Sequence, residues 1–104
     1  MRILLICYSG MSSSVLVQNM IDAAKEMNLD VTVDALGSSE TNQRSIDYDV
    51  ILLAPQVRYQ KANFVKASGG KVPVEPIDMV AYGTLDGKKA LKAALKAVEE
   101  FKKQ

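Results

Sequence analysis

Two apolar runs without alternation constrain this chain more than any other feature: Ile3-Leu4-Leu5-Ile6-Cys7 and Val50-Ile51-Leu52-Leu53-Ala54. They are short, rich in branched residues, and closed by Ser9-Gly10 and by Pro55. Such runs predict strands buried on both faces, the mark of central positions in a parallel sheet. Two weaker strands flank them. Asp30 to Ala35 alternates with period two, as an edge strand does, and Val72 to Ile77 contains Pro73 and Pro76, which confine it to an edge.

Helical patterns lie between the strands. Leu16, Met20, Ala23 or Ala24, and Met27 form one apolar stripe, with Ser12 or Ser13 as the expected cap. Leu91, Ala94 or Leu95, Val98 and Phe101 form another, opposite Lys88, Lys92 and Lys96, with Asp86 as cap and Gly87 at the opening. A third helix is expected over about Tyr59 to Ala67, stopping at Ser68-Gly69-Gly70, while Gly37 to Ile46 reads as a loop or a short helix. Alternating strands and helices imply right-handed crossovers and a parallel sheet with helices on both faces. With the two buried runs as first and third strands, the expected order is 2-1-3-4 in an α/β, flavodoxin-like or phosphatase-I-like three-layer sandwich. A chain of 104 residues fits one domain over 1–104.

In that topology ligands bind at the carboxyl ends of strands 1 and 3, where the order reverses. Cys7 ends strand 1, and Pro55 to Tyr59 follow strand 3. Composition narrows the chemistry available there. No histidine is present, which removes histidine dyads, histidine-ligated metals and phosphohistidine on this chain. The single cysteine excludes an intramolecular disulfide and a CxxC redox pair. No Asp/Glu group has metal-ligand spacing, so neither a metal nor a cofactor is expected. A net charge of +1 gives no field that draws in nucleic acid or an anionic membrane. The opening apolar run meets Ser9-Gly10 too early for a secretory leader, and no stretch approaches the roughly 18 apolar residues of a membrane span. A cytoplasmic location without membrane insertion is expected.

The segment Cys7-Tyr8-Ser9-Gly10-Met11-Ser12-Ser13-Ser14 runs from strand to helix. Gly10 permits a tight turn, and the residues after it offer successive backbone N–H groups at a helix N-terminus with no acidic side chain to repel an anion. Such a nest holds phosphate, and Ser9, Ser12, Ser13 and Ser14 add hydroxyl donors. The same field favours thiolate over thiol, which makes Cys7 a candidate for phosphorylation. A free cysteine ending a buried strand is also an ordinary small core residue, and a serine-rich turn is also an ordinary cap. Particular residues argue against two other phosphate loops. A Walker A loop needs Gly-Lys-Ser/Thr, yet no lysine occurs between Arg2 and Lys25. A cysteine phosphatase places a transition-state arginine where this chain has Ser13, so hydrolysis lacks its guanidinium clamp.

This loop resembles that of the enzyme IIB components of the bacterial sugar phosphotransferase system, lactose/cellobiose (chitobiose) type. Asp49 to Val57 resembles the family's third strand with its Pro-Gln turn. Val74 to Asp78, followed by Tyr82 to Gly87, resembles its fourth strand and the approach to its last helix. The resemblance implies a phosphocysteine on Cys7, a phosphohistidine donor (enzyme IIA), and delivery to a sugar held by the membrane subunit IIC. The sugar it implies is cellobiose, chitobiose, lactose or another β-glucoside. Tyr8 stands where family members carry a small residue. The competing reading is a low-molecular-weight phosphatase or an arsenate reductase.

Other residues carry weaker expectations. Arg58 either reaches a phosphate or starts a helix at the surface, and Asp78 either acts as a base or caps a turn. Tyr8, Met11, Val57 and Tyr59 form either an apolar rim or core packing. The lysines from Lys88 to Lys103 read as a solvated helix face.

Overall fold

A computed structural model describes residues 1–7, 14–37 and 48–103. Four strands, β1 (Arg2–Cys7), β2 (Thr32–Gly37), β3 (Val50–Leu53) and β4 (Val74–Pro76), form a parallel sheet in the order β2-β1-β3-β4. The helices are α1 (Ser14–Glu26), α2 (Lys61–Ala67), α3 (Met79–Gly83) and α4 (Gly87–Lys102), with a 3₁₀ helix at Pro55–Gln60 leading into α2. The expected order is therefore found, with the two unalternating runs at the centre. From Ile3 to Cys7 and from Val50 to Leu53 every residue is buried.

Alternation along β1 feeds two cores. Ile3 and Leu5, with Val33, Val50 and Leu52, face α1 and α4 through Leu16, Met20, Leu91 and Ala94. Leu4 and Ile6, with Ile51 and Leu53, face the 3₁₀ helix and α2 through Val57 and Phe64. Because successive side chains of a strand point to opposite faces, only a continuous apolar run serves both layers.

Element ends differ from the sequence expectation where a partner sets them. β2 begins and ends two residues later than its own alternation suggests, because its six residues pair one for one with β1, from Arg2↔Thr32 to Cys7↔Gly37. Its start is tied by Thr32 N–H donating to the Met1 carbonyl at 2.9 Å. Between Pro73 and Ile77, β4 keeps a ladder at both ends: Ile51 N–H donates to Pro73 O and Ile77 N–H donates to Leu53 O. At β3, Pro55 starts the 3₁₀ turn, since its ring presets φ and it has no N–H to satisfy there. The expected helix over Tyr59 to Ala67 is thus the end of that 3₁₀ turn followed by α2. It stops at Ser68, with Gly69 and Gly70 both at positive φ as a glycine stop requires. The expected loop or helix from Gly37 to Ile46 lies, beyond Gly37, outside the described residues, as do the proposed caps Ser12 and Ser13.

Two local devices hold the carboxyl end of the sheet. Asp78 caps α3, a helix without an expected counterpart, by accepting from Val80 N–H at 3.0 Å and Ala81 N–H at 3.1 Å. Asp86 caps α4 by accepting from Lys89 N–H at 3.0 Å. Next to that cap, Gly87 lies against the backbone of α1, where a Cβ would run into the Asn19 carbonyl carbon and the Met20 nitrogen. Asn19 closes the same contact by donating from Nδ2 to the Leu85 carbonyl at 2.8 Å. The α1–α4 crossing is close because position 87 has no side chain.

Gly87→Ala should lower stability by about 1–3 kcal/mol, since backbone, not a flexible side chain, has to yield. Urea unfolding should show a lower midpoint with an unchanged slope. Asp78→Ala should cost about 1 kcal/mol through the lost cap, and Asp78→Asn should recover most of it in the same measurement.

Candidate functional site

The two central strands leave the sheet toward opposite faces. β1 is followed by α1 on the first face, and β3 by the 3₁₀ helix and α2 on the second. Such divergence marks the switch point at which parallel sheets bind ligands. Cys7 ends β1 at that place. Ala54 N–H donates to the Ile6 carbonyl at 2.8 Å, which ties the exit of β3 beside the residue preceding the thiol.

The Cys7 side chain is fully buried and packs in the second core cluster. Its Sγ lies 3.8 Å from the Leu36 carbonyl oxygen, a weak contact in which the thiol donates. Both the strand-end position and the core packing considered from the sequence therefore apply to this one atom. Ser14 is the first residue of α1 and is exposed, and the first turn of α1 carries no acidic side chain. The positive end of that helix is thus unopposed by a carboxylate in its own first turn. Ser9, Gly10, Met11, Ser12 and Ser13, expected to bind phosphate, lie outside the described residues, and so does Tyr8.

The remaining candidates separate. Val57, one of the residues considered for an apolar rim, is buried beneath the 3₁₀ helix, whereas Tyr59 two residues on is exposed. Arg58 is exposed and lines a cleft of about 530 Å³ with Pro76, Ile77, Asp78, Met79 and Ala93, a lining that does not include Cys7. The Asp78 carboxylate is taken up by its two N–H donors, which is the capping role. Lys88, Lys89, Lys92, Lys96, Lys102 and Lys103 are exposed along α4 and just past its end. Among the described residues no group of His, Cys, Asp or Glu has the arrangement of a metal site. The sequence reading missed Met79 and Val80, which α3 leaves at the surface beside the cleft. The signal was available in Asp78, an N-cap type followed by residues able to form one helical turn.

Comparison with known proteins agrees with this arrangement. The sequence profile of the family described as "PTS system, Lactose/Cellobiose specific IIB subunit" matches residues 2–93. The chain is similar to an oligo-beta-mannoside-specific EIIB component of Bacillus subtilis (strain 168), at 39% identity over 90% of this chain and 92% of the relative. It is also similar to a galactose-specific EIIB component of Lactococcus lactis subsp. cremoris (strain MG1363), at 38% identity over 88% of this chain and 91% of the relative. The solution structure of a cellobiose-specific phosphotransferase IIB component from Borrelia burgdorferi superposes with a TM-score of 0.78 at 38% identity, covering 96% of this chain and 93% of the other. All the sequence blocks that carried the resemblance, from Cys7 to Gly87, fall inside the matched span.

Proposed function

The chain belongs to the lactose/cellobiose-specific IIB family of the sugar phosphotransferase system, and on that footing we propose that Cys7 is its phosphoryl carrier. Members of this family are phosphotransferases that pass phosphate to sugar together with other components of the system, and this chain is such a subunit. The observation that carries the assignment to Cys7 is topological. The thiol ends a central strand at the switch point of the sheet, and the chain then runs through Ser9, Gly10, Met11, Ser12 and Ser13 to Ser14 and the start of α1.

In the proposed reaction the Cys7 thiolate attacks the phosphorus of a phosphohistidine on enzyme IIA in line. The S–P bond forms as the N–P bond breaks, and the imidazole keeps the electron pair. Backbone N–H groups of about Gly10 to Ser14 and the serine hydroxyls hold the phosphoryl oxygens at the positive end of α1. A hydroxyl oxygen of a sugar held by the membrane subunit IIC then attacks phosphorus. The S–P bond breaks, sulfur leaves as thiolate, and the hydroxyl proton passes to a base outside this chain. Such transfers depend chiefly on positioning and on stabilising charge, so the chain needs no metal or cofactor for its step. The sugar is a disaccharide or other β-glucoside chosen by IIC. The protein works in the cytoplasm as one domain over 1–104, in keeping with the absence, among the described residues, of a helix long and apolar enough to cross a membrane. A phosphatase or arsenate reductase is disfavoured by family membership and by Ser13 in the place of the hydrolytic arginine.

Intact-mass analysis tests this reading. After incubation with phosphoenolpyruvate and the upstream components, including IIA, the protein should gain one phosphoryl group. Cys7→Ser and alkylated protein should gain none. Phosphorylation of Cys7→Ser to the wild-type extent would refute the assignment.

A further inference from the structure

The two cores lie on opposite faces of the sheet, so a side chain reaches both only around an edge or an end of it. Among the described residues one half-buried side chain packs against both cores, Tyr82 of α3. Its route is fixed by the contacts on either side. Ile77 N–H donates to the Leu53 carbonyl, and the Leu85 carbonyl accepts from Asn19 Nδ2 of α1. Between those points the chain passes inward from the outermost strand, along the carboxyl end of the sheet. Tyr82 therefore joins the cores across that end and not around the open edge of β4. The second core is made there of Cys7, Leu53, Ala54 and Val57.

The helix that carries Tyr82 is held more firmly than five residues require. Besides the Asp78 cap, Thr84 Oγ1 donates to the Val80 carbonyl at 2.7 Å, and Asp86 N–H donates to the Ala81 carbonyl at 2.8 Å. Leu85, which leaves the helix, has a φ of 55°, in the left-handed region that a residue with a Cβ enters at a cost. The other non-glycine residue at positive φ among those described, Asn28, follows the end of α1, where asparagine is an ordinary stop. Leucine has no such local reason. Strain of this kind persists where surrounding contacts over-determine the backbone, and it gathers at functional sites. Met79 and Val80 draw little from the anchoring, since they are 64% and 61% exposed. The side chains it fixes are Ala81 and Tyr82.

We propose that Tyr82 is a positioning residue for phosphoryl transfer, whose ring closes the space between the layers at the switch point and fixes the direction of the Cys7 side chain. This inference rests on the proposed carrier role of Cys7 and deepens it by naming a residue that holds the thiol. An in-line attack needs sulfur aimed at phosphorus, so orientation acts on the rate of the bound step and leaves affinity for the donor unchanged.

The test follows phosphoryl transfer from phosphorylated IIA over a range of donor concentrations. Tyr82→Ala should transfer at least about tenfold more slowly at saturating donor, with half-saturation within about twofold of wild type. Tyr82→Phe, which keeps the ring, should stay within about threefold of wild type in rate. Val98→Ala removes atoms packed against the first core alone and should transfer as wild type does, at a temperature where thermal unfolding shows every variant folded. A second measurement needs no donor protein. Iodoacetamide should alkylate Cys7 of Tyr82→Ala at least about fivefold faster than Cys7 of wild type, Tyr82→Phe or Val98→Ala. Wild-type transfer or wild-type alkylation in Tyr82→Ala would overturn the proposal. So would equal losses in Tyr82→Phe or Val98→Ala, or a change confined to half-saturation, which would make Tyr82 a docking contact. If the wild-type chain takes up no phosphate on Cys7, the carrier role falls, and the alkylation rates still decide whether Tyr82 holds the thiol.

Discussion

The pairing of β1 with β3 is the contact on which the rest of the structure depends. Ile3 to Ile6 lie in register with Val50 to Leu53, and every one of these side chains is buried. Parallel neighbours cannot be joined by a hairpin, so each must leave the sheet through a crossover. Because the two strands leave toward opposite faces, the topological switch point falls between their carboxyl ends. Cys7 stands there for no reason more elaborate than being the last residue of β1. The thiol's position is therefore a consequence of packing, and the same apolar run that builds two cores also aims the chain at the site.

The outer strands show what this pairing imposes on its neighbours. β2 takes its length from β1, and Pro76 in β4 sits on the open edge, where a missing N–H breaks no ladder. The amino-terminal side of the sheet is pinned by polar contacts. Arg2 N–H donates to Asp49 at 2.7 Å, the Arg2 guanidinium stacks 4.7 Å from the Tyr48 ring centroid, and Tyr48 OH donates to Asp34 at 2.8 Å. The carboxyl end instead carries helix caps and exposed apolar side chains. The sheet is anchored at one end and presents surface at the other.

The central strands and their order were legible because burial on both faces leaves a continuous apolar run, a pattern few alternatives produce. The ends of β2 were not, since an edge strand stops where its partner stops, whatever its own alternation. Five residues are too few to show a helical period, so α3 went unread even though its cap, Asp78, was visible. Gly87 could be recognised as a helix opening, but its need for a bare backbone arises from α1, far away in sequence. Val57 and Tyr59 look equally fit for a rim. The 3₁₀ helix turns the first into the core and the second to solvent, a choice made by packing and not by residue type. Cys7 was legible as a strand end at the switch point. That its sulfur is fully covered was not.

That burial bears on how a carrier differs from a hydrolase on one fold. On the proposed reading, the phosphoryl group must outlast its wait between two partners. Ser13 in place of an arginine leaves the hydrolytic transition state without its clamp. In the unmodified chain the sulfur that must be reached is fully buried. On that reading a small chain with one thiol and no histidine passes phosphate onward without spending it on water.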